Sequence, residues 1–243
     1  MSRVLYCTLL LLLLNSITTL PDGFVYIHDV DPSIMVNLKY TTNDNFLGYP
    51  IPGYLANKSI MTKECAEALK KAQEIFISYG YSILIYDSYR PQRAVDEFLS
   101  WMTTSDDQSR KLQHYPRVDK KDLIEKGYVA SKSGHSKGST VDLTLVKLGT
   151  TISEYSTYEV RNFNGIELPF LDDGSVDMGT SFDLMDEASH GENNVVFEEH
   201  NANRNFLKEV MEQVGFRVLP EEWWHFTLKD EPYPDTFFDF PVE

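Results

Sequence analysis

Hydrophobic residues first recur at helical spacing in the stretch that opens at Thr62: Cys65, Leu69, Ala72 and Phe76 share one stripe, and Gly80 follows as a stop signal. This pattern predicts a helix over 62–79, with Thr62 as its N-cap. The run Tyr81-Ser82-Ile83-Leu84-Ile85-Tyr86 then reads as a buried strand. Asp87-Ser88-Tyr89-Arg90 leads into a second helix, with Pro91 suited to its first position and Val95, Phe98, Leu99 and Met102 on its inner face. Residues 103–127 are polar and irregular and read as an excursion over the surface.

Farther along, Val141 to Val146 alternates as a strand does, and a polar, glycine-bearing region continues through Asp177-Met178-Gly179-Thr180-Ser181-Phe182-Asp183. A third long helix begins near Asn203, carries Phe206, Val210 and Val214 on one side and ends at Gly215. Phe216–Leu219 and Trp224–Leu228 form a hairpin around Pro220. Helices and strands mix without regular alternation. That order predicts an α+β fold, a single compact domain of mostly antiparallel sheet with helices packed on it, rather than a doubly wound sheet.

The start of the chain differs in kind. Val4 to Leu14 is almost unbroken apolar sequence, seven of its residues leucine, and Arg3 is the only charge before Asp22. Such a run is too short to span a bilayer and suits the core of a signal peptide, which assigns residues 1–20 to a leader and 21–243 to the domain. An uncleaved anchor or a buried strand is the alternative. A leader implies a secreted or periplasmic protein, with a cytoplasmic location as the other possibility. The mature chain would keep only Cys65 of the two cysteines, so no internal disulfide can form. Asn57-Lys58-Ser59 is a glycosylation sequon, relevant only in a eukaryotic secretory pathway.

The formal net charge of −15 repels polyanions and excludes nucleic acid and stable adhesion to anionic membrane, both of which draw on lysine and arginine clusters. Chemistry enters with Glu222-Trp223-Trp224-His225, a carboxylate and an imidazole three residues apart. Upstream, the segment from Ser131 to Asp142 supplies His135 and Asp142. His135, Asp142 and His225 make a three-ligand zinc site, one Zn2+ per chain, with a fourth position for water and Glu222 as the base that takes the water's proton. Gly138 permits the bend that lets a loop histidine and a strand aspartate converge. The bland alternatives are an ordinary buried histidine at 225, an aspartate that caps a turn at 142, and tryptophans that belong to the core. His28, His114, His190 and His200 lack any supporting pattern and read as structural.

Together Tyr86-Asp87-Ser88-Tyr89-Arg90-Pro91, Ser133-Gly134-His135 through Asp142, and Glu222-Trp223-Trp224-His225 resemble the zinc D-alanyl-D-alanine dipeptidases of the vancomycin-resistance type. The likeness runs in order from Leu38-Lys39-Tyr40 and Asn45-Phe46 to Asp230-Glu231-Pro232-Tyr233-Pro234. It implies hydrolysis of D-alanyl-D-alanine to two D-alanines, on the fold shared with D,D-carboxypeptidases and the Hedgehog domain. It also implies that Arg90 steadies the tetrahedral intermediate and that Asp183, Ser133 and Tyr40 contact substrate, Asp183 at the ammonium end. Local sequence alone permits Arg90 simply to pair with Asp87. Two rival functions stay open: a D,D-carboxypeptidase or wall endopeptidase acting on longer peptides, and a non-catalytic zinc-bearing binding module.

Overall fold

Residues 20–243 are described by the computed structural model; apart from Leu20, the expected leader lies outside the described residues. Strands β1 (Phe24–Tyr26), β2 (Met35–Val36) and β3 (Ile60–Thr62) precede β4 (Tyr81–Asp87) and β5 (Thr140–Lys147). A hairpin of β6 (Thr157–Phe163) and β7 (Ile166–Asp172) follows, and β8 (Phe216–Leu219) and β9 (Glu222–Leu228) close the chain's last hairpin. The helices are α1 (Ile27–Val30), α2 (Lys63–Ser78), α3 (Gln92–Thr104), α4 (Lys111–His114) and α5 (Glu198–Gln213).

The central sheet has five strands in the order β2-β4-β5-β9-β8, all antiparallel except the short β2, which runs parallel to β4. β5 lies in the middle and is buried from Thr140 to Val146, as a strand covered on both faces must be. α2 packs against β4 through Cys65, Leu69, Ala72 and Phe76, all fully buried, and α5 covers β8 and β9. The Thr62 hydroxyl accepts from the Cys65 amide at 3.4 Å, the N-cap that the sequence predicts, and Gly80 takes φ 85° just past the helix end.

Three elements depart from the expectations. α5 begins at Glu198, several residues before Asn203, because His200 and Arg204 are themselves buried on its inner face. The stretch after β5 contains the β6–β7 hairpin, whose Asn164-Gly165 turn has φ of 54° and 95°, the pairing that two-residue hairpin loops demand. Residues 103–127 are not wholly superficial: His114, Tyr115, Val118 and Leu123 are buried. Among the described residues no helix is long and apolar enough to cross a membrane.

Candidate metal centre

Three neighbouring strands set a row of side chains at one end of the sheet. Asp142 of β5 lies directly opposite His225 of β9, and on its other side opposite Asp87 at the end of β4. Directly opposed residues on adjacent strands present their side chains to the same face, so Asp142 and His225 meet without help from any loop. His135 arrives from a 3-10 turn, Gly134–Lys137, whose first amides are tied by the Ser133 hydroxyl, which accepts from His135 N at 3.3 Å. Gly138 ends that turn at φ 85°, and a Cβ there would collide with the Phe24 ring, so the bend into β5 requires glycine.

The imidazole of His135 is oriented from behind. Its Nδ1–H donates to the Ser88 carbonyl at 2.7 Å, which leaves the Nε2 lone pair facing Asp142 Oδ2 and His225 Nδ1, each at 3.3 Å. His225 Nδ1 lies 3.0 Å from Asp142 Oδ1 but is not aligned to donate to it, and that buried oxygen has no hydrogen-bond partner. One ligand atom from each of His135, Asp142 and His225 falls within 4.8 Å of the others, the one such His/Asp/Glu/Cys group among the described residues. Two lone-pair nitrogens and an orphaned carboxylate oxygen turned on one point are costly without a cation between them. The donor set fits zinc, which takes histidine and carboxylate ligands and leaves a position open in catalytic sites.

Glu222 stands beside this group. Its Oε2 is 3.4 Å from His225 Nδ1 although the two are three apart on a strand, a spacing that ordinarily puts them on opposite faces. The pairing explains it: Val218 opposes Phe226 while Leu219 opposes Glu222, so β9 bulges between these points and turns Glu222 back over the cluster. Glu222 therefore belongs to the strand itself rather than to the preceding turn. Burial, reinforced by Asp142 and Asp183, pushes its carboxyl well above the ordinary range. Burial also opposes ionisation of Asp142, but His135 and His225 outweigh it and hold that carboxyl below its usual value. Burial lowers His225 against the pull of Asp142.

Arg90 pairs with Asp87, as its local sequence permits, and stands beside the three-ligand group. Its Nε donates to Asp87 at 2.8 Å, Nη2 lies 3.5 Å from Asp142 Oδ2, and the guanidinium rests over the rings of Tyr40 and Phe98 at 5.2 and 5.1 Å. It lines a cavity of about 230 Å³ together with Tyr40, Ser133, Asp142, Asp183, Glu222 and His225. Asp183 accepts from the Tyr40 hydroxyl at 2.9 Å, and burial together with Asp142 raises its carboxyl to about 8. Neither tryptophan lines this cavity. Trp224 is core, edge-on to Phe182, and Trp223 donates to the Thr180 hydroxyl, so both belong to the packing of the domain.

The sequence reading missed Tyr128, Lys132 and Met185 on the cavity wall, and nothing in their local pattern marks them. The Asp87–Arg90 pair is the one that local sequence permits, whereas the place of Asp87 opposite Asp142 in the sheet is visible only in the fold. His28, His114, His190 and His200 all lie outside the three-ligand group.

The family model for peptidase M15, described as D-Ala-D-Ala dipeptidase, matches residues 21–154 and 165–243; the part it skips falls on β6. The D-alanyl-D-alanine dipeptidase of Enterococcus faecium is 41% identical over 221 residues, covering 91% of this chain and 98% of its own. That of Streptomyces coelicolor is 42% identical over 219 residues, covering 90% and 98%. A solved structure of a zinc-bound mutant of the vancomycin-resistance D,D-pentapeptidase VanY is a remote likeness, with a TM-score of 0.37 and 16% identity over 80% of this chain and 86% of that one.

Proposed function

Because the chain belongs to the D-Ala-D-Ala dipeptidase family of M15 peptidases, it is a zinc metallopeptidase that hydrolyses D-alanyl-D-alanine, and we propose how its own residues divide that work. His135, Asp142 and His225 hold the metal. The observation that carries this is the buried Asp142 carboxylate, whose Oδ1 is left without a hydrogen bond 3.0 Å from His225 Nδ1 while its Oδ2 lies 3.3 Å from His135 Nε2. Zinc, when bound, supplies Lewis acidity: it brings the pKa of a coordinated water towards neutrality and polarises the scissile carbonyl.

Glu222 is placed to take the proton from the attacking water and to deliver it to the leaving amine. Its Oε2, 3.4 Å from His225 Nδ1, stands where one carboxylate can accept a proton and release it within one turnover. Arg90, fixed in direction by Asp87, offers its free N–H groups to the oxygen that gains charge as the carbonyl becomes tetrahedral. Asp183 pairs with the substrate ammonium, which draws its carboxyl into the charged form. Tyr40 orients Asp183, and Ser133 lies at the cavity rim for the other end of the dipeptide.

A cavity of about 230 Å³ falls below the roughly 300–1,000 Å³ usual for drug-sized ligands and favours a free dipeptide over longer wall peptides. The test is a comparison of D-alanyl-D-alanine with a pentapeptide ending in the same pair. The dipeptide is expected to be turned over with the higher kcat/KM, and preference for the pentapeptide would reverse the assignment. Glu222→Gln is expected to retain zinc and lose roughly 10²–10⁴-fold in kcat; unchanged turnover would remove Glu222 from its role. A secreted or periplasmic location follows from the apolar run Val4 to Leu14 if residues 1–20 are removed, and N-terminal sequencing of the mature protein decides it: a protein retaining Met1 in cytosol would exclude export.

A further inference from the structure

His114 belongs to the stretch that reads as a surface excursion, yet it is 2% exposed and its ring touches the main chain of Asp183, a residue of the catalytic cavity. Its ring Nδ1 is 3.1 Å from the Asp183 carbonyl, and its own backbone carbonyl accepts from the Met185 amide at 2.7 Å. One residue thus grips the chain on both sides of Leu184. A carbonyl can only accept, so Nδ1 carries the proton and Nε2 is the acceptor. Arg110, one helical turn earlier, meets it there through Nη2 at 3.3 Å. Arg110 is anchored in turn by Nε donating to the Asn45 carbonyl at 3.0 Å.

The backbone that His114 holds is unusual. Asp183 has φ 57°, and the only other non-glycine residue at positive φ among the described residues is the hairpin-turn Asn164. Aspartate tolerates this left-handed region better than most residues, but at a cost that its surroundings offset. Here the Tyr40 hydroxyl fixes the carboxylate from one side, and the His114 Nδ1–H fixes the main chain from the other. Were the carbonyl released, the residue would relax towards ordinary φ and swing its carboxylate away from the cavity.

We infer that His114, oriented by Arg110, is a positioning residue that holds Asp183 in its left-handed conformation and so aims the carboxylate at the substrate's ammonium group. This rests on the assignment of Asp183 made above. Burial and Arg110 keep the imidazole neutral, its pKa lowered to about 3, so the ring serves as a fixed hydrogen-bond donor and not as a charge. The specificity consequence is selective: loosening the grip should weaken recognition of the free amino end and leave the metal and the base in place.

The experiment compares KM and kcat for D-alanyl-D-alanine with inhibition by N-propanoyl-D-alanine, which keeps the peptide bond and carboxylate but lacks the ammonium. His114→Leu in the zinc-loaded enzyme is expected to raise KM at least fivefold, with kcat and the inhibition constant of the propanoyl compound each within about twofold. His114→Asn, whose side-chain amide can donate from nearly the position of Nδ1, is expected to restore most of the KM. A parallel rise in KM and inhibition constant, or no change in either, overturns the inference. Asp183→Asn, measured alongside, separates the two levels. An unchanged KM there removes the ammonium assignment and the inference with it. A raised KM there with an unchanged KM in His114→Leu removes the inference alone. Should His114→Leu fail to fold, Arg110→Met replaces it: about a threefold rise in KM with an unmoved inhibition constant supports the positioning role, and an unchanged KM contradicts it.

Discussion

Replacing Arg90 separates its proposed catalytic part from its structural one. Arg90→Met removes the partner of Asp87, a carboxylate with no exposure, whose attraction to Arg90 at 2.8 Å amounts to about 6 kcal/mol at an effective dielectric constant of about 20. The Tyr54 hydroxyl still donates to Asp87 at 2.6 Å, so the net destabilisation should be about 3–5 kcal/mol, the range for breaking a buried pair on one side. Catalysis should fall independently, by about 10²–10³-fold in kcat, because an oxyanion donor is lost. Asp87→Asn added to Arg90→Met removes the uncompensated charge and should return much of the stability, as deleting both partners of a buried pair does. It should not return the activity. Urea unfolding and D-alanyl-D-alanine kinetics on the parent, the single and the double variant, each with its zinc content measured, read both quantities. If the double variant recovers activity in step with stability, Arg90 only holds Asp87 and has no part at the transition state.

Two further outcomes follow from the same geometry. The His114 pKa lies at about 3 in the fold against about 6.5 for a free histidine, so between those values the unfolded chain binds one proton more than the native one; stability therefore falls on acidification through this window, by about 1.4 kcal/mol per pH unit from this group. Denaturant titrations of the parent and His114→Asn from pH 7 to 4 should converge as the pH drops, and parallel curves would exclude the contribution. Gly138→Ala demands a side chain at φ 85° against the Phe24 ring; a loss on the order of 2 kcal/mol together with weaker zinc retention is expected, and a variant of parental stability and zinc affinity would show that this bend is not constrained.

Periodicity was enough for α2, β4 and the β8–β9 hairpin because each buries a regular stripe next to an unambiguous stop signal such as Gly80 or Pro220. The β6–β7 hairpin escaped notice despite its Asn-Gly turn, since the alternation of Tyr158 and Val160 with polar neighbours stops at Asn162 and β6 is exposed along most of its length. The residues proposed to hold the metal were legible as residue types, and their convergence followed from strand pairing, which no local pattern reveals: Asp142 and His225 are far apart in the chain and direct neighbours in the sheet. The bulge that turns Glu222 towards His225 is likewise a property of two strands in register. His114 was illegible for a related reason. Its partners, the Asp183 carbonyl and Arg110, lie on a segment distant in sequence and on the preceding turn, and only burial distinguishes it from a surface histidine.

The convergence of His135, Asp142 and His225 on one ion is best tested by zinc K-edge absorption on the purified protein, with metal content measured on the same sample. One zinc per chain is expected, in a shell of nitrogen and oxygen neighbours at about 2.0–2.2 Å with two imidazole scattering signatures, one of which disappears in His225→Ala along with most of the bound metal. A sulfur-containing shell, or a spectrum and stoichiometry that survive His225→Ala unchanged, would place the metal elsewhere in the protein.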